Sequence, residues 1–116
     1  MSKIHSTAII DKNCTIGNNV TVGAYTVIEG NVKIDDDNII FPSVYISGNT
    51  DIGKSNKIFS FSSIGAVPQD LKFNNEKSKL RIGDNNTIRE HCTFNLGTKG
   101  GGMITEVGNN SLFMAG

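Results

Sequence analysis

The chain lacks several features that define common classes of small protein. It has no tryptophan, two prolines and two cysteines, and the cysteines, Cys14 and Cys92, stand far apart without CxxC spacing. Neither a disulfide framework nor a zinc site is indicated by this pattern. We therefore expect both thiols to be reduced and expect no metal site.

Clusters of charge and long apolar runs are also missing. Eleven basic and eleven acidic residues are scattered along the chain and give a formal charge of zero, so no surface for nucleic acid or anionic membrane is indicated. No window reaches the roughly 18 consecutive apolar residues of a membrane span, and the start MSKIHSTA lacks the apolar stretch of a secretory signal. A cytoplasmic protein without stable membrane insertion is expected by default.

What the chain does contain is an aliphatic residue at every sixth position. The series starts at Ile4 and continues to Ile64 without a break over eleven positions. Ile and Val make up 22 of 116 residues, so such a run has a chance probability of about one in a hundred million. The phase returns after a gap at Ile82, Ile88 and Phe94, and is displaced by one residue at Val107 and Phe113.

A period of six fits neither an α-helix nor one continuous strand, but it fits short strands that alternate with turns. If three hexads form one triangular coil of 18 residues, each aliphatic side chain points inward and stacks on its counterpart about 4.8 Å away. Residues 4–64 would then form about three and a half coils. Small or medium residues recur four positions after each aliphatic one and are expected near corners, where Gly and Asn supply positive φ.

Two interruptions of the repeat are candidate functional loops within an otherwise single all-β domain covering 1–116. The first, 65–81, abandons the aliphatic steps, and the second, 95–106, contains three consecutive glycines. Because neighbouring coils constrain each other in a solenoid, insertions leave as loops and often form a binding face. After Phe113 a new hexad stays incomplete at Gly116 and no cap is visible, so we expect a truncated solenoid.

Three segments carry a family resemblance: FSSIGAVPQDLKF (61–73), IGDNNTIREHCTF (82–94) and GTKGGGMITEVGNNSLFMAG (97–116). In order and spacing they resemble the UDP-N-acetylglucosamine O-acyltransferases. The resemblance implies a left-handed parallel β-helix, since the periodicity alone leaves the handedness open. It also implies transfer of a 3-hydroxyacyl chain from acyl carrier protein to UDP-N-acetylglucosamine, the first step of lipid A synthesis. The family is homotrimeric, with clefts between neighbouring β-helices, and needs no cofactor.

By the same resemblance, Gln69, Asp70 and Lys72 are the substrate-binding residues. Asn95 takes a place next to the cleft where many relatives have histidine. A mixed-charge loop without other information is most often solvated surface, and the matching motif is what favours a binding role. The family's catalytic histidine belongs to an A-H-x-x-H-D segment that would begin just after Gly116. We therefore expect no catalytic residue in these residues and no activity from them alone.

Other interpretations stay open at this stage. One is another hexapeptide nucleotide-sugar acyltransferase, which the Q-D-L-K loop disfavours, and one is a non-catalytic β-helix module used for assembly. His5 and His91 are interpreted as surface or turn histidines. Arg89 and Glu90 are expected either at a subunit interface or as a buried pair.

Overall fold

The fold is built from very short strands. The computed structural model describes residues 2–66, 79–95 and 104–114, and no strand in these ranges exceeds four residues. In chain order the strands are β1 (Lys3–Ile4), β2 (Ile9–Ile10), β3 (Thr15–Ile16), β4 (Thr21–Val22), β5 (Val27–Ile28), β6 (Asn31–Ile34), β7 (Ile39–Ile40), β8 (Tyr45–Ile46), β9 (Asn49–Ile52), β10 (Lys57–Ile58), β11 (Ser63–Ala66), β12 (Lys79–Ile82), β13 (Thr87–Ile88), β14 (Thr93–Asn95), β15 (Ile104–Val107) and β16 (Leu112–Phe113).

Every third strand belongs to the same parallel sheet, which gives the chain three faces. Sheet A has the order β1-β4-β7-β10-β13-β16, sheet B has β14-β11-β8-β5-β2, and sheet C has β15-β12-β9-β6-β3. We call the three edges where the chain passes between sheets the AB, BC and CA corners. The described residues form strands and turns but no helix, so none of them belongs to a helix long and apolar enough to cross a membrane.

The strand register confirms the predicted coil of 18 residues. Val22 pairs with Ile40, and Ile40 pairs with Ile58, each one coil along. The next steps are longer, since Ile58 pairs with Ile88, 30 residues on, and Ile88 pairs with Phe113, 25 residues on. The first interruption therefore adds two whole hexads, which keeps the phase, and the second adds seven residues, which displaces it by one.

The inward face of each strand supplies the hydrophobic core. The aliphatic residues of the hexad series between Val22 and Ile88 are at most 2% exposed, as predicted. Full burial of one such side chain contributes roughly 1.5–3 kcal/mol before the entropy of ordering the chain is subtracted. The core residues of the first coil are less well covered, as the 47% exposure of Ile4 shows.

The small residues four positions after each aliphatic one are also inside, and their polar members are hydrogen bonded. Asn38, Asn56 and Asn86 are at most 1% exposed. The Asn56 amide Nδ2 donates to the Gly83 carbonyl at 2.9 Å, and the Asn86 backbone N–H donates to Asn56 Oδ1 at 2.8 Å. Buried asparagines thus link successive coils, a role that the sequence prediction did not assign to them.

The positive φ predicted for glycines near the corners is found at Gly30, Gly48 and Gly65 but not at other glycines that directly follow an aliphatic residue, namely Gly17, Gly23, Gly53 and Gly83. Gly53, for example, does not have positive φ, and a Cβ there would clash with the Asp84 carboxylate of the next coil. The left-handed turn positions are filled mostly by other residue types, listed as Asn19, Tyr25, Asp37, Ser43, Ser55, Phe61, Asn85, His91 and Asn110. Close approach of coils, more than turn conformation, therefore requires glycine.

Both cysteines are free thiols. Cys14 is partly buried and Cys92 is buried, and desolvation raises the pKa of each thiol above its usual value. A buried thiol with a raised pKa behaves as a small apolar residue and is a poor nucleophile.

Candidate functional site

The residues predicted to bind substrate fall largely outside the described ranges. Gln69, Asp70 and Lys72 lie in the segment 67–78, which the structure does not describe, and Asn95 is the last residue of β14. What the structure does describe is the framework from which these residues arise.

Both predicted loops are attached to the BC corner, on successive coils. Ala66, where β11 ends, pairs with Asn95, where β14 ends. Lys79, where β12 begins, pairs with Ile104, where β15 begins. The strand residues that flank 67–78 therefore lie one coil, about 4.8 Å, from those that flank 96–103.

Strand residues extend into both predicted interruptions. Within 65–81, Gly65 and Ala66 belong to β11, and Leu80 of β12 is fully buried. Within 95–106, β14 includes Asn95 and β15 starts at Ile104. The burial of Leu80 in the core was not predicted from the sequence. Leu80 pairs with Thr50, which occupies the position of small residues near a corner, and does not lie in the aliphatic series of the hexad.

The first segment starts directly after a β-bulge at Gly65. Ile64 pairs with Phe94 and Ala66 pairs with Asn95, so β11 has one extra residue between them. Gly65 has φ +77°, and a Cβ there would clash with Thr50 Oγ1 and the Ser47 carbonyl oxygen. A bulge bends a strand and redirects the chain. Gly65 therefore bends β11 directly before its last residue, Ala66.

The same segment ends at an ion pair. Lys79 Nζ lies 3.0 Å from Asp51 Oδ2, and their side chains are 24% and 29% exposed. The next residue, Leu80, is fully buried. One residue before Asp51, the Thr50 hydroxyl donates to the Ser47 carbonyl at 2.8 Å. The re-entry strand is thus fixed by a salt bridge outside and a leucine inside.

Charges alternate along the outer face of sheet C. Lys33, Asp51, Arg81 and Glu106 stand opposite one another in successive strands, and Arg81 is 4.0 Å from Glu106. Opposite charges directly across neighbouring strands stabilise a sheet modestly. Lys33, Asp51 and Arg81 also line a shallow groove of about 510 Å³. This row of charges was not predicted from the sequence. Its members are separated by different numbers of residues along the chain, because the two interruptions lengthen some coils, and so they form no regular sequence pattern.

The two histidines lie away from the BC corner. His5 and His91 are both at the AB corner and exposed, where His5 Nδ1 is 2.9 Å from the Thr7 hydroxyl and His91 stacks on Phe61 at 5.5 Å. This placement agrees with their interpretation as turn histidines. Among the described residues, no group of three or more His, Cys, Asp or Glu side chains could hold a metal ion.

Aromatic side chains gather at the AB corner. Phe41 and Phe59 stack at 4.3 Å, and the Arg89 guanidinium lies 4.2 Å above the Phe59 ring. Tyr25 and Phe61 are 70% and 62% exposed. We call these five residues the aromatic corner.

Arg89 also pairs with Glu90 at 3.2 Å, but both side chains are over 40% exposed, so the alternative of a buried pair is wrong.

Known proteins similar to the chain agree with this framework. No protein-family model matches it. An acyl-[acyl-carrier-protein]–UDP-N-acetylglucosamine O-acyltransferase from Aliarcobacter butzleri is 56% identical over 114 residues, or 98% of the chain, and one from Rickettsia peacockii is 49% identical over 115 residues, or 99%. Over nearly its whole length the chain is therefore similar to UDP-N-acetylglucosamine O-acyltransferases. It spans 44% of the length of each of these two relatives.

A solved structure of one such enzyme has the same fold. The UDP-N-acetylglucosamine acyltransferase from Bacteroides fragilis superimposes with a TM-score of 0.88 and 46% identity, over 97% of this chain and 44% of that one. Together with the three parallel sheets, this confirms the predicted fold class, a left-handed parallel β-helix of hexapeptide repeats. These similarities also confirm the resemblance that was based on the SIG-x-V-P-Q-D-L-K and IRE segments.

Proposed function

We propose that the chain is the substrate-loop part of an O-acyltransferase that uses acyl carrier protein as donor and UDP-N-acetylglucosamine as acceptor. The observation that carries this proposal is the 56% identity over 98% of the chain to a relative named for that activity. From the family resemblance we further propose a 3-hydroxyacyl donor and a place at the first step of lipid A synthesis.

The proposed reaction converts a thioester into an ester. The sugar hydroxyl oxygen bonds to the thioester carbonyl carbon, the carbon–sulfur bond breaks, and the carrier thiol is released. A general base must take the hydroxyl proton during the attack. We place this base beyond residue 116, in the histidine segment of the family, so no catalytic residue is assigned to the present residues. No cofactor is needed for this chemistry.

Asp70, Lys72 and Gln69 are proposed to bind the sugar nucleotide. A carboxylate can accept hydrogen bonds from sugar hydroxyls, and an ammonium can meet an anionic or carbonyl oxygen. Asn95 is proposed to lie beside the same cleft. The support from the described residues is that Ala66 and Asn95, the last residues before the two segments, are paired across β11 and β14, so these segments start side by side.

We also propose a homotrimer in the cytoplasm, with the aromatic corner and sheet B as contact surface. Ile9 on sheet B is 64% exposed, and it lies on the same side of the β-helix as Tyr25 and Phe61 of the aromatic corner. Exposed apolar patches of this kind mark protein contact sites. The BC corner forms the opposite edge of sheet B, so a neighbour docked on that sheet would stand next to both loops.

A chimera tests the proposed activity. Residues 1–116 replace the matching part of the Aliarcobacter butzleri relative, and formation of acylated UDP-N-acetylglucosamine from acyl carrier protein is followed by mass spectrometry. We expect turnover by the chimera, none by residues 1–116 alone, and at least about a tenfold loss of kcat/KM in Asp70→Ala. The exposed residue Lys12 provides a control, and Lys12→Ala should retain activity. A folded chimera without turnover would contradict the proposal and favour an assembly module.

A further inference from the structure

Asp51 stands between two cations of the strand that follows the first loop. Its Oδ2 is 3.0 Å from Lys79 Nζ, and its backbone is directly opposite Arg81 in the register of β9 and β12. β9 belongs to the regular part of the solenoid, where the coil is 18 residues long. Asp51 therefore joins a strand of the regular part of the solenoid to the strand that follows the first interruption of the repeat.

The same row of charges continues to the strand that follows the second loop. Arg81 on β12 lies 4.0 Å from Glu106 on β15, and β15 is the strand that follows 96–103. The re-entry strands of both segments are thus connected to β9 through Lys79, Asp51, Arg81 and Glu106. We call these four residues the sheet C network.

The sheet C network restrains β12 against a shift along the strand, which the hydrophobic core does not. Leu80 is fully buried and fixes the depth of β12, but an apolar contact is non-directional and tolerates a shift along the strand. The salt bridge from Lys79 to Asp51 is directional, is three-quarters withdrawn from water, and acts on the residue where β12 begins. It therefore fixes where the chain re-enters the solenoid, seven residues after Lys72.

We propose that Asp51 is a positioning residue for the sugar nucleotide site, acting through Lys79. This inference rests on the proposed function, because it assigns substrate binding to Asp70 and Lys72. Asp51 touches no substrate in this account. Loss of the salt bridge loosens the start of β12 and weakens ground-state binding by these loop residues, so KM rises while kcat stays nearly unchanged.

The kinetic test uses the full chimera described above. In Asp51→Asn we expect the KM for UDP-N-acetylglucosamine to rise about threefold, the scale of a partly exposed ion pair, with kcat within about twofold. Asp51→Glu should restore most of the loss. Added salt should raise the KM of the parent protein toward that of Asp51→Asn, because screening weakens the pair, and should leave the variant unaffected.

Lys33 offers a matched control on the same sheet. It stands opposite Asp51 on the other side but makes no salt bridge within the described residues. Lys33→Gln removes one charge from the row and leaves Lys79 and Asp51 in contact, so its KM should equal that of the parent. An equal rise in both variants would show a general electrostatic effect and would overturn the proposal.

A second readout does not depend on catalysis. Backbone N–H exchange at Leu80 and Arg81 in residues 1–116 should be several-fold faster in Asp51→Asn than in the parent or in Lys33→Gln. If the parent chimera shows no turnover, the proposed function fails and this exchange measurement decides whether Asp51 positions β12. An active parent whose KM and exchange rates are both unchanged in Asp51→Asn would overturn only the role of Asp51.

Discussion

The backbone N–H of Asn56 donates a hydrogen bond of 2.8 Å to the side-chain oxygen of Asn38, its counterpart one coil earlier. Asn38 in turn donates from Nδ2 to the Gly53 carbonyl at 2.6 Å. Each buried asparagine thus satisfies one backbone donor and one backbone acceptor that the triangular turn leaves without a ladder partner. This arrangement repeats at Asn56 and Asn86 and turns a corner of the solenoid into a hydrogen-bonded column.

Asn56 should be important for stability. Asn56→Ala leaves the Asn86 N–H, which is buried in the corner, and the Gly83 carbonyl, which is partly buried there, without their partner. Leaving two such groups unsatisfied should lower the free energy of unfolding by about 2–4 kcal/mol. Urea unfolding measures the loss. Asn13→Ala, at an exposed turn residue, should stay within about 0.5 kcal/mol, and equal losses in the two variants would contradict this role.

Gly65 should tolerate no side chain. Gly65→Ala places a Cβ against Thr50 Oγ1 and the Ser47 carbonyl oxygen and holds a non-glycine residue at φ +77°. We expect a loss of about 2 kcal/mol or more in the free energy of unfolding. Gly108 is the matched control, because a Cβ there meets nothing within 4 Å, so Gly108→Ala should be nearly neutral. Similar unfolding midpoints for the two variants would rule out the bulge as a constraint.

Phe61 should matter for assembly more than for folding. Phe61→Asn removes a ring that is 62% exposed, and Asn accepts the left-handed φ of +65° at this position. In the chimera we expect dissociation at protein concentrations where the parent is trimeric, measured by sedimentation. Leu112→Ser removes a side chain of 61% exposure from sheet A and should leave the trimer intact. The aromatic corner would lose its assigned role if both variants sedimented like the parent.

Cys92 should contribute to a loss of stability at alkaline pH. Burial raises the pKa of its thiol above 9.0, so near and above pH 9 the unfolded chain binds fewer protons than the folded chain. The stability linked to this group is therefore present below about pH 9 and is lost as pH rises through the folded pKa. Urea unfolding between pH 7.5 and 10.5 should show a shallower decline in Cys92→Ala than in the parent. Parallel declines would contradict the assignment.

The hexad was sufficient to predict the core of this protein. Positions such as Ile28, Ile40 and Ile64 point inward because a six-residue step can bury an aliphatic residue only if the chain turns at every step. The prediction failed for glycine, which can serve either a turn with positive φ or a close contact between two coils. Glycine after an aliphatic residue was assigned to turn conformation, yet a Cβ on Gly53 would clash with the backbone carbonyl of Gly83 and with the Asp84 carboxylate in the next coil. That contact joins residues about thirty positions apart and leaves no local signal.

The sequence by itself determined the coil, the inward residues, the two interruptions and the resemblance to a known family. Each of these is written in local spacing or in a contiguous motif. The tertiary structure alone decided that the interruptions share the BC corner, and that Lys79 meets Asp51. These contacts depend on how many residues each interruption adds to a coil, since that length sets which side chains of successive coils stand opposite each other.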